Sequence, residues 1–243
     1  MNAFDLLSRD GPIPNEIRKL ETRLWRRTRK EGLKVLMFSS ALQGEGKSTT
    51  AALYAAATAL HRARRILLVD LDFRSPNLHA YLGAKQSRGF LDYLSGAGSL
   101  DDCIQSTEAE NLFLIAGADD TSLDPDRLLN SPRLADALET FRERFDLVIL
   151  DVPPLVPVAD AATLIPHADG ILLVVMAGLS TKHHLARARE ICLGMEGNIL
   201  GLVVGNIQEA APGYLDRSYY ERRPPREEPA GAEVAAEAGA EGS

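Results

Sequence analysis

Five stretches of the chain are runs of apolar residues with no polar alternation: LKVLMFSS (33–40), RRILLVD (64–70), FDLVILD (145–151), DGILLVVMA (169–177) and ILGLVVGNI (199–207). A strand that buries one face alternates apolar with polar side chains. These runs do not, so both faces are expected to be covered, as in a parallel sheet with helices on either side. Segments of helical character separate them, at 47–60, 131–144, 158–166 and 180–195. NLFLIAG (111–117) reads as a further strand. The pattern predicts an α/β fold, a doubly wound, mostly parallel sheet flanked by helices.

A chain of 243 residues with 45% hydrophobic content can bury a substantial core unaided. Residues 33–208 read as the folded domain. Before it, 1–14 read as an irregular arm ending in GPIP, and 15–30 as a helix. Ile17, Leu20 and Leu24 recur at helical spacing, while Arg18, Lys19, Arg23, Arg26, Arg27, Arg29 and Lys30 fill the other face. That face suits plain solvation, a docking partner or acidic lipid. After it, 209–243 is rich in Pro, Glu, Ala and Gly and reads as a mostly disordered tail. The net charge of −7 argues against general nucleic-acid affinity. Two cysteines outside any C-x-x-C pair fit a reducing cytoplasm. No apolar run approaches the roughly 20 residues of a membrane span. The expectation is a cytoplasmic protein that reaches a membrane only through a partner or a basic surface.

The first apolar run leads into ALQGEGKSTT (41–50) and then an Ala-rich helix. Strand, Gly-containing loop and helix is the setting of a phosphate-binding P-loop. Against G-x-x-x-x-G-K-[ST] the first glycine is replaced by Ala41, which adds only a methyl at the loop's entrance. Gly44, Glu45, Gly46, Lys47, Ser48 and Thr49 are the candidate nucleotide-binding residues. Their backbone N–H groups and the helix's positive end would face phosphate oxygens. Lys47 would reach the β- and γ-phosphates, and Ser48 would offer its hydroxyl to Mg²⁺. Asp70 closes the second run, Asp72 follows it, and Asp151 closes the third. Ligands of open parallel sheets bind beyond the carboxyl ends of the strands, so all three carboxylates are expected near Lys47. Carboxylates beside a triphosphate require a cation between them, a role suited to Mg²⁺.

This set resembles the bacterial tyrosine kinases of capsule and exopolysaccharide synthesis, members of the P-loop ATPase superfamily. The resemblance covers about residues 15–208. It is carried by GEGKST (44–49), by Asp70, Asp72 and Arg74 with Pro76 and His79, by Asp151 with Pro154, and by GFLDYLSG (89–96) and DPDRLLNSPRLADAL (124–138). Related septum-site and partitioning ATPases carry a signature lysine where Leu42 stands here.

The resemblance implies an ATP- and Mg²⁺-dependent protein-tyrosine autokinase. Lys47 would grip the phosphates, and Ser48, Asp72 and Asp151 would hold the metal. Asp70 would assist the attacking hydroxyl, though the two aspartates' roles are interchangeable at this level. Asn206 would contact the base. The implied phosphoacceptors are Tyr214, Tyr219 and Tyr220. The resemblance further implies a homo-oligomer, ring or dimer, and a transmembrane chain-length regulator as activating partner at the inner face of the membrane. Arg18, Leu20, Thr22 and Leu24 match the family's ring-forming helix, whereas Glu16 is one place off and Glu21 stands where an Arg is usual. A positioning ATPase and a nucleotide-binding scaffold are the alternative readings.

Overall fold

The computed structural model describes residues 2–85, 88–117 and 124–206. Helices α1 (Ala3–Leu7) and α2 (Pro12–Glu31) precede strand β1 (Val35–Ser40) and α3 (Lys47–His61). Then follow β2 (Ile66–Asp70), α4 (Leu78–Tyr81), α5 (Phe90–Ser95), α6 (Leu100–Cys103), β3 (Ile104–Ser106) and β4 (Leu112–Ile115). The remainder is α7 (Pro125–Leu129), α8 (Pro132–Arg144), β5 (Leu147–Asp151), α9 (Asp160–Thr163), a 3-10 turn (Ile165–His167), β6 (Gly170–Met176), α10 (Lys182–Gly194) and β7 (Ile199–Gly205).

Among the described residues the sheet has seven strands in the order β3-β4-β2-β5-β1-β6-β7. Every pairing is parallel except β3 with β4. The six apolar runs all become strands. Their lack of alternation has the expected cause, because successive side chains enter two different cores. Leu36, Phe38, Leu68, Ile149 and Leu172 pack toward α3, which is nearly all buried because α1 and α2 cover it in turn. Met37, Leu67, Val69, Val148 and Leu173 pack toward α8 and α10 through Leu134, Phe141, Ala188 and Cys192.

Three expectations need correction. Residues 1–14 are not an irregular arm. Asn2 and Asp5 form a capping box, and α1 buries Phe4 and Leu7 in the core beside α3. The second helix starts early, because Pro12 supplies the fixed backbone angle favoured at a helix's first position. The last run, β7, is an edge strand with one face uncovered, and its Leu202 and Val204 are about half exposed.

Glu21 lies on the buried stripe of α2 between Ile17 and Leu24. Its carboxylate accepts from Arg62 Nε at 2.8 Å and Nη2 at 3.1 Å, and Arg62 also lies over the Trp25 ring. The outer face of α2 exposes Arg18, Arg23, Arg26, Arg29 and Lys30, none paired with an acid among the described residues. Also among the described residues, no helix is long and apolar enough to cross a membrane.

At the amino end of the sheet, Asp169 ties β1, β6 and α8 together. One carboxylate oxygen accepts the backbone N–H groups of Lys34 (2.7 Å) and Val35 (2.8 Å), and both oxygens accept from the Arg142 guanidinium (2.8 and 2.7 Å). Partial burial pushes this carboxyl up, but Arg142 and the two N–H groups outweigh it and hold it below the ordinary range.

Candidate active site

The chain leaves β2 and β5 at the same level, because Asp70 and Asp151 are paired in register across the two strands. Phe38 of β1 is Asp151's partner on the other side, so the loop that follows β1 opens beside both aspartates. From β1 the chain crosses past β5 to β2, whereas β6 lies on β1's other flank. That reversal makes the crevice where open α/β sheets take ligands.

The 41–46 loop has an ordered backbone built by its glycines. Gly44 and Gly46 have φ of +83° and +84°, left-handed values at which a side chain is strained. Ala41 has no such angle, and at 1% exposed its methyl belongs to the core. The missing first glycine therefore leaves the loop intact. The loop is also anchored to the segment after β5. Leu155 N–H donates to Ser40 O, Val156 N–H to Ala41 O, and the Ser39 hydroxyl to Pro153 O.

Lys47 begins α3 and is nearly buried. Its ammonium lies 2.5 Å from Asp72 Oδ2, 3.7 Å from Asp151 Oδ1 and 3.0 Å from the Ser48 hydroxyl. Burial works to lower the Lys47 pKa, but the charges of Asp151 and Asp72 outweigh it and raise it. The Asp151 carboxyl is pushed up by complete burial against the pull of Lys47. Among the described residues neither oxygen has a partner at hydrogen-bond distance, although both are buried, and its charge is answered by Lys47 at 3.7 Å. A buried carboxylate with no close hydrogen bond is costly, so this group marks a place for a cation or ligand.

Asp70 and Asp72, inseparable by sequence, occupy different environments. Asp70 Oδ1 accepts the N–H of Asp72 (3.2 Å), and Oδ2 accepts those of Asn77 (3.0 Å) and Leu78 (3.1 Å). Burial, then the charge of Asp151, raises its pKa against these bonds. Asp70 thus holds the 72–78 loop in shape, and Asp72 reaches Lys47. Gly117, which sequence reading passed over, makes this possible. A Cβ there would lie 2.6 Å from Pro76 Cβ and 3.3 Å from Asp70 Cγ.

Ser48, Asp72 and Asp151 offer hard oxygen donors around Lys47, which suits Mg²⁺. Among the described residues no group of three or more His, Cys, Asp or Glu closes around one point. A cation here would complete its shell with phosphate and water, as Mg²⁺ commonly does. Thr49 is half-buried in the first turn of α3. Glu45 is buried, and its carboxylate accepts from Leu42 N–H and the Ser180 hydroxyl. Asn206 follows β7 at the same end of the sheet, in a left-handed conformation, with its amide 3.4 Å from Ala177 O. Tyr214, Tyr219 and Tyr220 lie outside the described residues.

Residues 33–186 match the AAA domain family. The protein EpsB of Ralstonia solanacearum is 35% identical over 175 residues, 71% of this chain, and the chain spans only 23% of that relative. The tyrosine-protein kinase YwqD of Bacillus subtilis is 31% identical over 172 residues, covering 71% of this chain and 72% of the relative. The kinase domain of the Escherichia coli tyrosine kinase ETK superposes with a TM-score of 0.72 at 27% identity, over 78% of this chain and 73% of that one. The chain belongs to the AAA domain family and, within it, to the bacterial tyrosine kinases.

Proposed function

We propose that the chain is an ATP- and Mg²⁺-dependent protein-tyrosine autokinase in the control of capsule or exopolysaccharide synthesis and export. The observation that carries this reading is the Lys47 ammonium, inside a glycine-shaped loop, facing Asp72 and the buried Asp151 carboxylate, which has no closer partner among the described residues. The loop and the first turn of α3 bind the triphosphate, and Lys47 takes its β- and γ-oxygens. Ser48 and Asp151 hold Mg²⁺, with Asp72 sharing it directly or through water. Bound Mg²⁺ supplies the positive charge that lets carboxylates and triphosphate coexist.

In the transfer, a tyrosine oxygen bonds to the γ-phosphorus as the bond to the ADP oxygen breaks. The hydroxyl has a pKa of about 10, so its proton needs an acceptor. Asp72 is suited to this when it meets the cation through water and Lys47 has turned to the phosphates, whereas the oxygens of Asp70 already accept three backbone N–H groups. Positioning and charge stabilisation carry most of the rate. The acceptors are Tyr214, Tyr219 and Tyr220, reached within a homo-oligomer. Each phosphate adds about −1.5 to −2 charges, which repels the tail from the acidic site. Asn206 contacts the base. A transmembrane partner brings the protein to the membrane, and the unpaired cations on α2 favour an acidic surface there.

A positioning ATPase is the weaker reading, because Leu42 packs on the core instead of presenting a charge. The test is incubation with ATP and Mg²⁺, with the partner's cytoplasmic segment added, followed by mass spectrometry. Phosphate on the tail tyrosines is expected, and its absence with ATP consumed supports the ATPase instead. Lys47→Met should abolish transfer and weaken ATP binding at least about tenfold, as loss of a charge-assisted contact does. Wild-type affinity in that variant would remove the phosphate-site assignment.

A further inference from the structure

A loop with two left-handed glycines is free to adopt many shapes, and something must hold it in one. Glu45 stands between Gly44 and Gly46 and is 1% exposed. Burying a carboxylate is costly unless it is hydrogen-bonded. One oxygen accepts the N–H of Leu42 at 2.7 Å, and the other accepts the hydroxyl of Ser180. The Ser180 oxygen in turn accepts the N–H of Met176 at 2.8 Å, so its proton is committed to Glu45. Ser180 N–H and Leu179 N–H both donate to Met176 O, closing the 176–180 turn on itself.

Two apolar side chains of the same turn border the loop beside this polar pin. A Cβ on Gly46 would meet Met176 Cε at 3.6 Å, and one on Gly44 would meet Leu179 Cδ2 at 3.9 Å. The loop residues 44, 45 and 46 thus each lie against the 176–180 turn, through Leu179, Ser180 and Met176. Both Glu45 oxygens are engaged within this framework. A free carboxylate here would only repel phosphate, so its use must be geometric.

We propose that Glu45 is a positioning residue that clamps the phosphate loop to the 176–180 turn, making that turn the second wall of the nucleotide site. The inference rests on the reading of 41–48 as a phosphate loop. It removes the Glu45 carboxylate, though not the residue's backbone N–H, from the groups that touch nucleotide or cation. It adds Ser180 to those that set ATP affinity.

The test uses the full chain, a fluorescent ATP analogue, a Mg²⁺ titration and the transfer rate at saturating ATP. Glu45→Gln and Ser180→Ala should each weaken analogue binding about tenfold, the scale of one charge-assisted hydrogen bond. The saturating rate should stay within about threefold, because the loss falls on nucleotide binding. The double variant should be no worse than the weaker single, because both remove one contact. Ser180→Thr keeps the hydroxyl and should recover most of the affinity, which separates the clamp from general destabilisation. The clamp is overturned if Glu45→Gln binds as wild type does, if the two losses multiply, or if Glu45→Gln alone shifts the Mg²⁺ dependence. Wild-type protein that binds no analogue overturns the phosphate-loop reading itself, and the clamp with it.

Discussion

Asp169→Asn isolates the electrostatic part of the tie between β1, β6 and α8. The wild-type carboxylate accepts four hydrogen bonds, two from backbone and two from Arg142. Asparagine keeps one oxygen, which can still serve Lys34 and Val35. Its amide takes the place of Oδ1 and faces Arg142 Nη2 donor to donor, so the charge and one arm of the bidentate pair are lost while Nη1 keeps its acceptor. Breaking a fully buried pair costs about 3–5 kcal/mol. The side chains here are 24% and 35% exposed, so solvent reduces this to about 2 kcal/mol. For a domain of this size that is a drop in Tm of about 4–8 °C.

The pH dependence gives the sharper check. A carboxyl held below its ordinary value stabilises the fold in its charged form. That contribution is complete above the unfolded value of about 3.9 and is lost as pH falls through the folded value. The gap between wild type and Asp169→Asn, measured by urea unfolding, should be full at pH 7 and narrow steadily below about pH 4. A gap of the same size at pH 3 and pH 7 would refute the argument, because it would trace the loss to packing.

Two further substitutions probe the site's scaffold. Gly117→Ala forces a methyl to within 2.6 Å of Pro76 and 3.3 Å of the Asp70 carboxyl, in a loop that also carries Asp72. It should cost about 1–3 kcal/mol in thermal unfolding and slow transfer at saturating ATP at least about tenfold, and an unchanged rate would detach that loop from the chemistry. Ala41→Gly restores the consensus glycine, yet it removes a buried methyl and loosens the backbone. It should lower stability by about 1–2 kcal/mol and leave ATP affinity as it was; tighter binding would show that Ala41 impairs the loop.

What was legible in the sequence depended on how local its cause is. Apolar runs without alternation are a local signal, and all six became strands. The rule that ligands sit past strand ends brought Asp72 and Asp151 to Lys47, and Asp70 beside Asp151, with no knowledge of the strand order. The three-residue β3 contains a single large apolar residue, Ile104, and exists only because β4 offers an edge. α1 is too short for periodicity to reveal and is fixed by its cap and by α3. Side-chain roles escaped in the same way. Asp70 and Asp72 differ because one meets the backbone of its own loop and the other meets Lys47. Glu21, which departs from the ring-helix pattern, is received by Arg62 just past the end of α3. Glu45 carries the lesson furthest. Read along the chain, Glu45 offers a backbone N–H to phosphate, and nothing local gives its carboxylate a task. The residue that holds it is 135 positions away, and only the closure of β6 beside β1 brings the two together.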